Sequence, residues 1–167
     1  MVRIAFLKKT QEYCLLQRAS KTIWGFMKME GPVILVDDDI EDRELVIEAL
    51  TELKINNEVR SFSNGREVID YLLVTKEQPF IIFSDVNMPV MDGLVLRKTI
   101  NSNEVLRQKS IPFVYLTTSS NSIIMKKAYG LTVQGFFQKP VRFNDLCEML
   151  KLIFVYWEVC KHPSNTD

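Results

Sequence analysis

Pro32-Val-Ile-Leu-Val-Asp-Asp-Asp-Ile-Glu-Asp-Arg-Glu-Leu-Val-Ile-Glu-Ala-Leu-Thr-Glu-Leu53 decides the fold. Val33 to Val36 are four successive β-favouring apolar residues with no polar alternation. They end in three acids, Asp37, Asp38 and Asp39. Leu45, Val46, Ala49, Leu50 and Leu53 then recur at helical spacing. A short strand followed by an amphipathic helix is the first of five such units. Val59–Phe62, Phe80–Phe83, Phe113–Leu116 and Gly135–Phe137 read as the other strands. Val68 to Leu73, Leu94 to Ile100, Ile123 to Tyr129 and Phe143 to about Cys160 read as the other helices. Strands apolar on both faces and separated by helices imply a parallel sheet covered on both sides, an α/β protein with a doubly wound (βα)5 pattern. No internal repeat or low-complexity stretch interrupts it.

The surrounding composition narrows the classes. The chain has 167 residues, 47% hydrophobic and 25% charged, which suits one domain with a full core and excludes disorder over most of its length. Twenty-one basic and 21 acidic residues balance to +0, so no global charge draws it to nucleic acid or an anionic membrane. Cys14, Cys147 and Cys160 form no CxxC pair and read as reduced, cytoplasmic thiols. His162 is the single histidine, which argues against a Ser-His-Asp triad or a multi-histidine zinc site. No apolar run approaches the ~20 residues of a membrane span.

Charge is unevenly placed. Residues 1–30 hold six Lys/Arg and two Asp/Glu, a net of +4; the remaining 15 and 19 give −4. Residues 1–30 read as an N-terminal extension, with a helix over Thr10 to Arg18 and no good signal peptide. Gly31-Pro32 marks the boundary. The domain proper is expected over 31–160 and a tail over 161–167, with no effector domain following.

The polar residues converge at one edge. In an open parallel sheet, ligands bind outside the carboxyl ends of the strands. Those ends carry Asp37, Asp38 and Asp39 on the first strand, Asp85 on the third, Thr117 and Thr118 on the fourth, and Lys139 on the fifth. Carboxylates suit Mg2+, and a hydroxyl with an ammonium suits phosphoryl oxygens. Taken singly each residue has a plainer role. Asp39 reads as a helix N-cap, and Glu41 and Asp42 as first-turn acids favoured by the helix dipole.

Val33-Ile-Leu-Val-Asp-Asp-Asp39, Ser84-Asp-Val-Asn-Met-Pro-Val-Met-Asp-Gly93, Pro112-Phe-Val-Tyr-Leu-Thr-Thr-Ser119 and Gly135-Phe-Phe-Gln-Lys-Pro140 resemble the receiver domain of two-component response regulators, the CheY-like, flavodoxin-like fold. The resemblance implies that Asp37 and Asp38 bind Mg2+, Asp38 more directly, with Asp85 and the Asn87 backbone carbonyl. It implies that Asp85 is the phosphoacceptor, that Thr117 and Lys139 bind the phosphoryl group, and that Lys139–Pro140 is cis. It also implies a phosphorelay, with a sensor histidine kinase or phosphotransfer protein as donor and a downstream protein as target. Such a protein is a phosphoacceptor rather than an enzyme, apart from self-catalysed transfer and autodephosphorylation. Thr117 and Phe136 would form the switch. Phe136 stands where many members have tyrosine, so the ring lacks a hydroxyl, and Thr118 replaces a commonly smaller residue.

The run from Leu116 to Ser119 and the Trp157-bearing tail resemble stand-alone receivers paired with phytochrome-type and hybrid histidine kinases. Leu146, Leu150, Ile153, Trp157 and Cys160 supply the stripe that a last helix needs against the sheet. Phe154, Val155, Tyr156 and Val159 are then surplus and predict a homodimer or partner face built with Ile123, Ile124 and Tyr129. Two other readings compete. One is a pseudo-receiver that binds a partner without phosphorylation. The other is a haloacid-dehalogenase-like phosphatase with Asp37 as nucleophile. Against the phosphatase stand Glu41, four residues after Asp37, and the lack of an acid pair after Lys139.

Overall fold

The computed structural model describes residues 30–119 and 121–160. The expected helix over Thr10 to Arg18, Cys14 and His162 lie outside the described residues. The strands are β1 (Val33–Val36), β2 (Val59–Phe62), β3 (Ile81–Ser84), β4 (Phe113–Thr117) and β5 (Gly135–Gln138). All pair in parallel, in the order β2-β1-β3-β4-β5. The helices are α1 (Ile40–Glu52), α2 (Gly65–Val74), α3 (Gly93–Ser102), α4 (Glu104–Gln108), α5 (Ser122–Gly130) and α6 (Phe143–Val159).

Alternation along the strands splits the core in two. Val33, Leu35, Ile81, Phe83, Val114 and Leu116 face α1 and α6, where Val46, Leu50, Leu146, Leu150 and Ile153 close over them. Ile34, Val36, Ile82, Phe113 and Tyr115 face the other way, against Val68, Leu72, Leu96, Ile100, Leu106 and Ala128. The three central strands are buried at every position. Edge strand β2 departs from the expected apolar pattern: Arg60 and Ser61 keep it partly exposed. An edge strand has one pairing side open, so it tolerates polar residues.

Three further details differ from the sequence reading. The five-residue α4 has no counterpart in the sequence pattern; it is too short to show a period, and Asn103 caps it while Leu106 anchors it. Phe154 is not surplus. It is buried between Phe80 and Phe83, with ring centroids 5.7 and 6.1 Å away. Lys139–Pro140 is not cis, since no cis peptide bond occurs among the described residues; trans is the ordinary preference even before proline.

Candidate functional site

The carboxyl ends of β1, β3, β4 and β5 bring Asp37, Asp85, Thr117 and Lys139 to one rim. Asp37 and Asp85 leave neighbouring strands β1 and β3, and both are buried. Asp39 caps α1 as its sequence predicts, its Oδ1 accepting from the Glu41 N–H at 2.8 Å. That turn directs the chain sideways and leaves Asp37 inside, where its Oδ1 accepts from the Asp39 N–H at 3.0 Å. Asp38 is exposed at the mouth.

Asp85 is the least satisfied of these groups. Its Oδ2 accepts from the Asn87 N–H at 2.8 Å, while its Oδ1 is buried without any hydrogen-bond partner. A buried carboxylate oxygen left unpaired costs on the order of 1–3 kcal/mol, so native structures rarely keep one without a use. The loop around it is fixed from below. The Ser84 hydroxyl donates to the Asp85 carbonyl at 2.6 Å, and the buried Tyr115 hydroxyl donates to the Gly93 carbonyl at 2.8 Å. Gly93 passes so close to the Asp85 carbonyl that a Cβ would overlap it, and would sit 2.9 Å from the Tyr115 ring. Only glycine lets α3 start directly under the acid.

Lys139 comes from the far side of the rim. Its backbone N–H donates to the Thr117 carbonyl at 2.8 Å. Its ammonium bonds the Asp37 carboxylate and lies 2.6 Å from Asp42 Oδ2. Burial alone would depress the lysine pKa, but the two carboxylates outweigh it and raise it, so the group stays charged. Burial raises the Asp37 pKa and the nearby Asp85 charge adds to this, against the lowering effect of Lys139. Thr117 is fully buried, its Oγ1 accepting from the Ser119 N–H at 3.2 Å. Thr118 is exposed. Phe136 is half-buried against the core, its ring 5.8 Å from that of Tyr115.

The structure thus gathers Asp37, Asp85, Thr117 and Lys139, and sets Asp38 and Asn87 at the exposed margin. It also recruits residues that the sequence reading gave other work. Asp42 is a first-turn acid, as expected, but its carboxylate is an ion-pair partner of Lys139. The signal was its spacing: three residues past an N-cap, a side chain points back toward the strand end. Arg43, whose guanidinium donates to the Asp37 carbonyl, left no such signal.

Hard oxygen donors on β1 and β3 and the orphaned Asp85 Oδ1 fit a small divalent cation. The fit is to an open site, not a cage. Among the described residues no three His, Cys, Asp or Glu side chains are gathered closely enough to enclose a metal. Mg2+ characteristically keeps several waters and needs few protein ligands.

An open parallel α/β sheet with two buried acids, a hydroxyl and a lysine at its carboxyl rim is the receiver architecture. The chain belongs to that family: the response regulator receiver domain matches over residues 33–151. Response regulator Rcp1 of Synechocystis is 32% identical over 130 residues, covering 75% of this chain and 87% of its own. The structure of the phosphorylated cyanobacterial phytochrome response regulator RcpA superposes with a TM-score of 0.73 at 28% identity, covering 80% of this chain and 99% of that one. The Mn(2+)-bound form of Rcp1 gives 0.67 at 28% identity, covering 79% and 97%. By contrast, the chain spans only 28% of the DNA-binding transcriptional regulator NtrC of Proteus hauseri, at 27% identity. The family match over the whole sheet displaces the haloacid-dehalogenase reading, and Asp37, its nucleophile, is here tied to Lys139.

Proposed function

We propose that this receiver accepts a phosphoryl group from a histidine kinase or phosphotransfer protein onto Asp85 and relays the signal through its α5–β5–α6 face. The observation that carries the reading is the buried Asp85, with one oxygen left unpartnered, on the same carboxyl rim as a charged lysine. A carboxylate oxygen of Asp85 forms the new bond to phosphorus. The phosphorus–nitrogen bond to the donor imidazole breaks, and its electron pair returns to the ring. The product is a mixed anhydride, labile in water and suited to a reversible signal. Lys139 neutralises charge on the transferred oxygens, and the Thr117 hydroxyl donates to one of them. Asp37, Asp38, Asp85 and the Asn87 carbonyl would hold Mg2+, which supplies further neutralisation of phosphoryl charge when bound. That Rcp1 has a Mn(2+)-bound form supports a divalent ion at this rim.

The partner face is the finer part of the proposal. Ile123 and Tyr129 on α5 are exposed, as are Leu152, Tyr156 and Val159, one stripe of α6. Ile124 and Val155 contribute less than expected, being half-buried. Phosphorylation, felt at Thr117 and Phe136, strengthens a homodimer or a downstream contact on this face. No described helix is long and apolar enough to cross a membrane; we place the chain in the cytoplasm with its donor.

The test is incubation with Mg2+ and a small phosphodonor. The wild type forms an acid-stable, base-labile adduct, and Asp85→Asn forms none. An adduct at wild-type stoichiometry in the variant breaks the assignment. A wild type that takes no phosphoryl group favours the pseudo-receiver reading. Light scattering with and without beryllofluoride reads the dimer, and a monomer under both conditions at tens of micromolar protein removes it.

A further inference from the structure

We infer that Asp42 is a positioning residue that holds Lys139 away from Asp85, and so sets how readily the rim accepts a phosphoryl group. This rests on the phosphoacceptor reading above. The Lys139 ammonium has two partners, Asp37 and Asp42, and neither is Asp85. The pair with Asp42 is 2.6 Å long, and the lysine side chain keeps only 10% of its exposure. Asp42 lies three residues past the N-cap Asp39, on the first turn of α1. Its position is therefore fixed by a capped helix rather than by a mobile loop.

The consequence is competition for one cation. The same ammonium must serve either the α1 carboxylate or the oxygens of a group on Asp85. Asp37 and Asp85 follow the ends of adjacent buried strands, and the lysine pairs with the first of them. Every contact it keeps with Asp42 opposes its move to the phosphoryl group. Asp85 Oδ1 meanwhile has no partner, and the Lys139 ammonium is engaged with Asp37 and Asp42.

Asp42→Asn keeps the shape of the side chain and removes its charge. Glu41→Gln is the control: Glu41 is exposed in the same first turn, carries the same charge, and does not pair with Lys139. Beryllofluoride with Mg2+ is the probe for the occupied rim. We expect Asp42→Asn to bind it about threefold to tenfold more tightly than wild type, as loss of one partly exposed ion pair allows, and Glu41→Gln to stay within about twofold. A second readout needs no phosphoryl mimic. Labelling of Lys139 by an amine-directed reagent, mapped by mass spectrometry, is faster in Asp42→Asn than in either other protein. An unchanged labelling rate overturns the inference, and so does an equal gain of affinity in Glu41→Gln, which would reduce the effect to net charge. A wild type that binds no beryllofluoride breaks the phosphoacceptor reading instead, and the labelling rate alone then decides whether Asp42 holds the lysine.

Discussion

The two rims of the sheet each bury a charged residue, and they treat it in opposite ways. At the amino rim, Arg97 of α3 is 8% exposed and pairs with no carboxylate among the described residues. Its Nε donates to the Leu131 carbonyl at 3.2 Å and its Nη2 to the Thr132 carbonyl at 2.8 Å, while Phe113 lies under the guanidinium at 5.3 Å. Those carbonyls end α5, where the helix dipole is negative, so the cation is held by dipoles and a ring face. At the carboxyl rim, Asp85 is 7% exposed and keeps an oxygen with no partner. The arginine's charge meets acceptors and a ring, whereas the carboxylate keeps one oxygen unmet.

The sharpest way to break this comparison is stability. Arg97→Ala removes the guanidinium's hydrogen bonds to the end of α5 and its packing on Phe113, and we expect it to lose about 2 kcal/mol in denaturant unfolding while still taking up phosphoryl groups. Asp85→Asn should go the other way, losing all uptake and gaining about 1 kcal/mol as its repulsion with Asp37 ends. If both variants lose stability equally, the two rims are alike and the comparison fails.

The second way is a Mg2+ titration. Asp38→Ala should weaken binding by about tenfold, and Asp39→Ala by less than about threefold, since Asp39 is committed to capping α1. Equal losses, or the reverse order, would shift the metal along the acid run.

The smallest effect concerns strain. Each rim holds a β-branched residue in the left-handed region, Val90 at φ 65° and Thr132 at φ 58°. Thr132 presents its carbonyl to Arg97. Val90 is 84% exposed on the loop that carries Asp85 into α3. A β-branched residue there costs about 2 kcal/mol, and glycine's extra freedom in the unfolded chain returns about 1. Val90→Gly should therefore raise stability by about 1 kcal/mol in thermal or denaturant unfolding. A loss would mean that Val90 packs against something that relieves its backbone.

The strand–helix alternation was legible because its apolar runs are short, uniform and punctuated by acids. The site was legible because in a parallel sheet every carboxyl end must reach the same rim. The sequence alone puts Asp37, Asp85, Thr117 and Lys139 at strand ends that share that rim. What escaped were contacts that depend on where a side chain points once packed. Phe154 read as surplus because one helical stripe suffices for a flat surface; Phe80 and Phe83 make room for a second.

Arg97 carried no sequence signal either. A lone arginine in an amphipathic helix reads as solvated, and only the close approach of the α5 terminus gives it acceptors. Local sequence, through period, caps and strand ends, determined the order of elements and the chemistry of the rim. The tertiary structure alone decided which partner each charge keeps. Lys139 and Asp42 are separated by 97 residues, and only the closing of β5 beside β4 and the seating of α1 under the rim bring them within 2.6 Å.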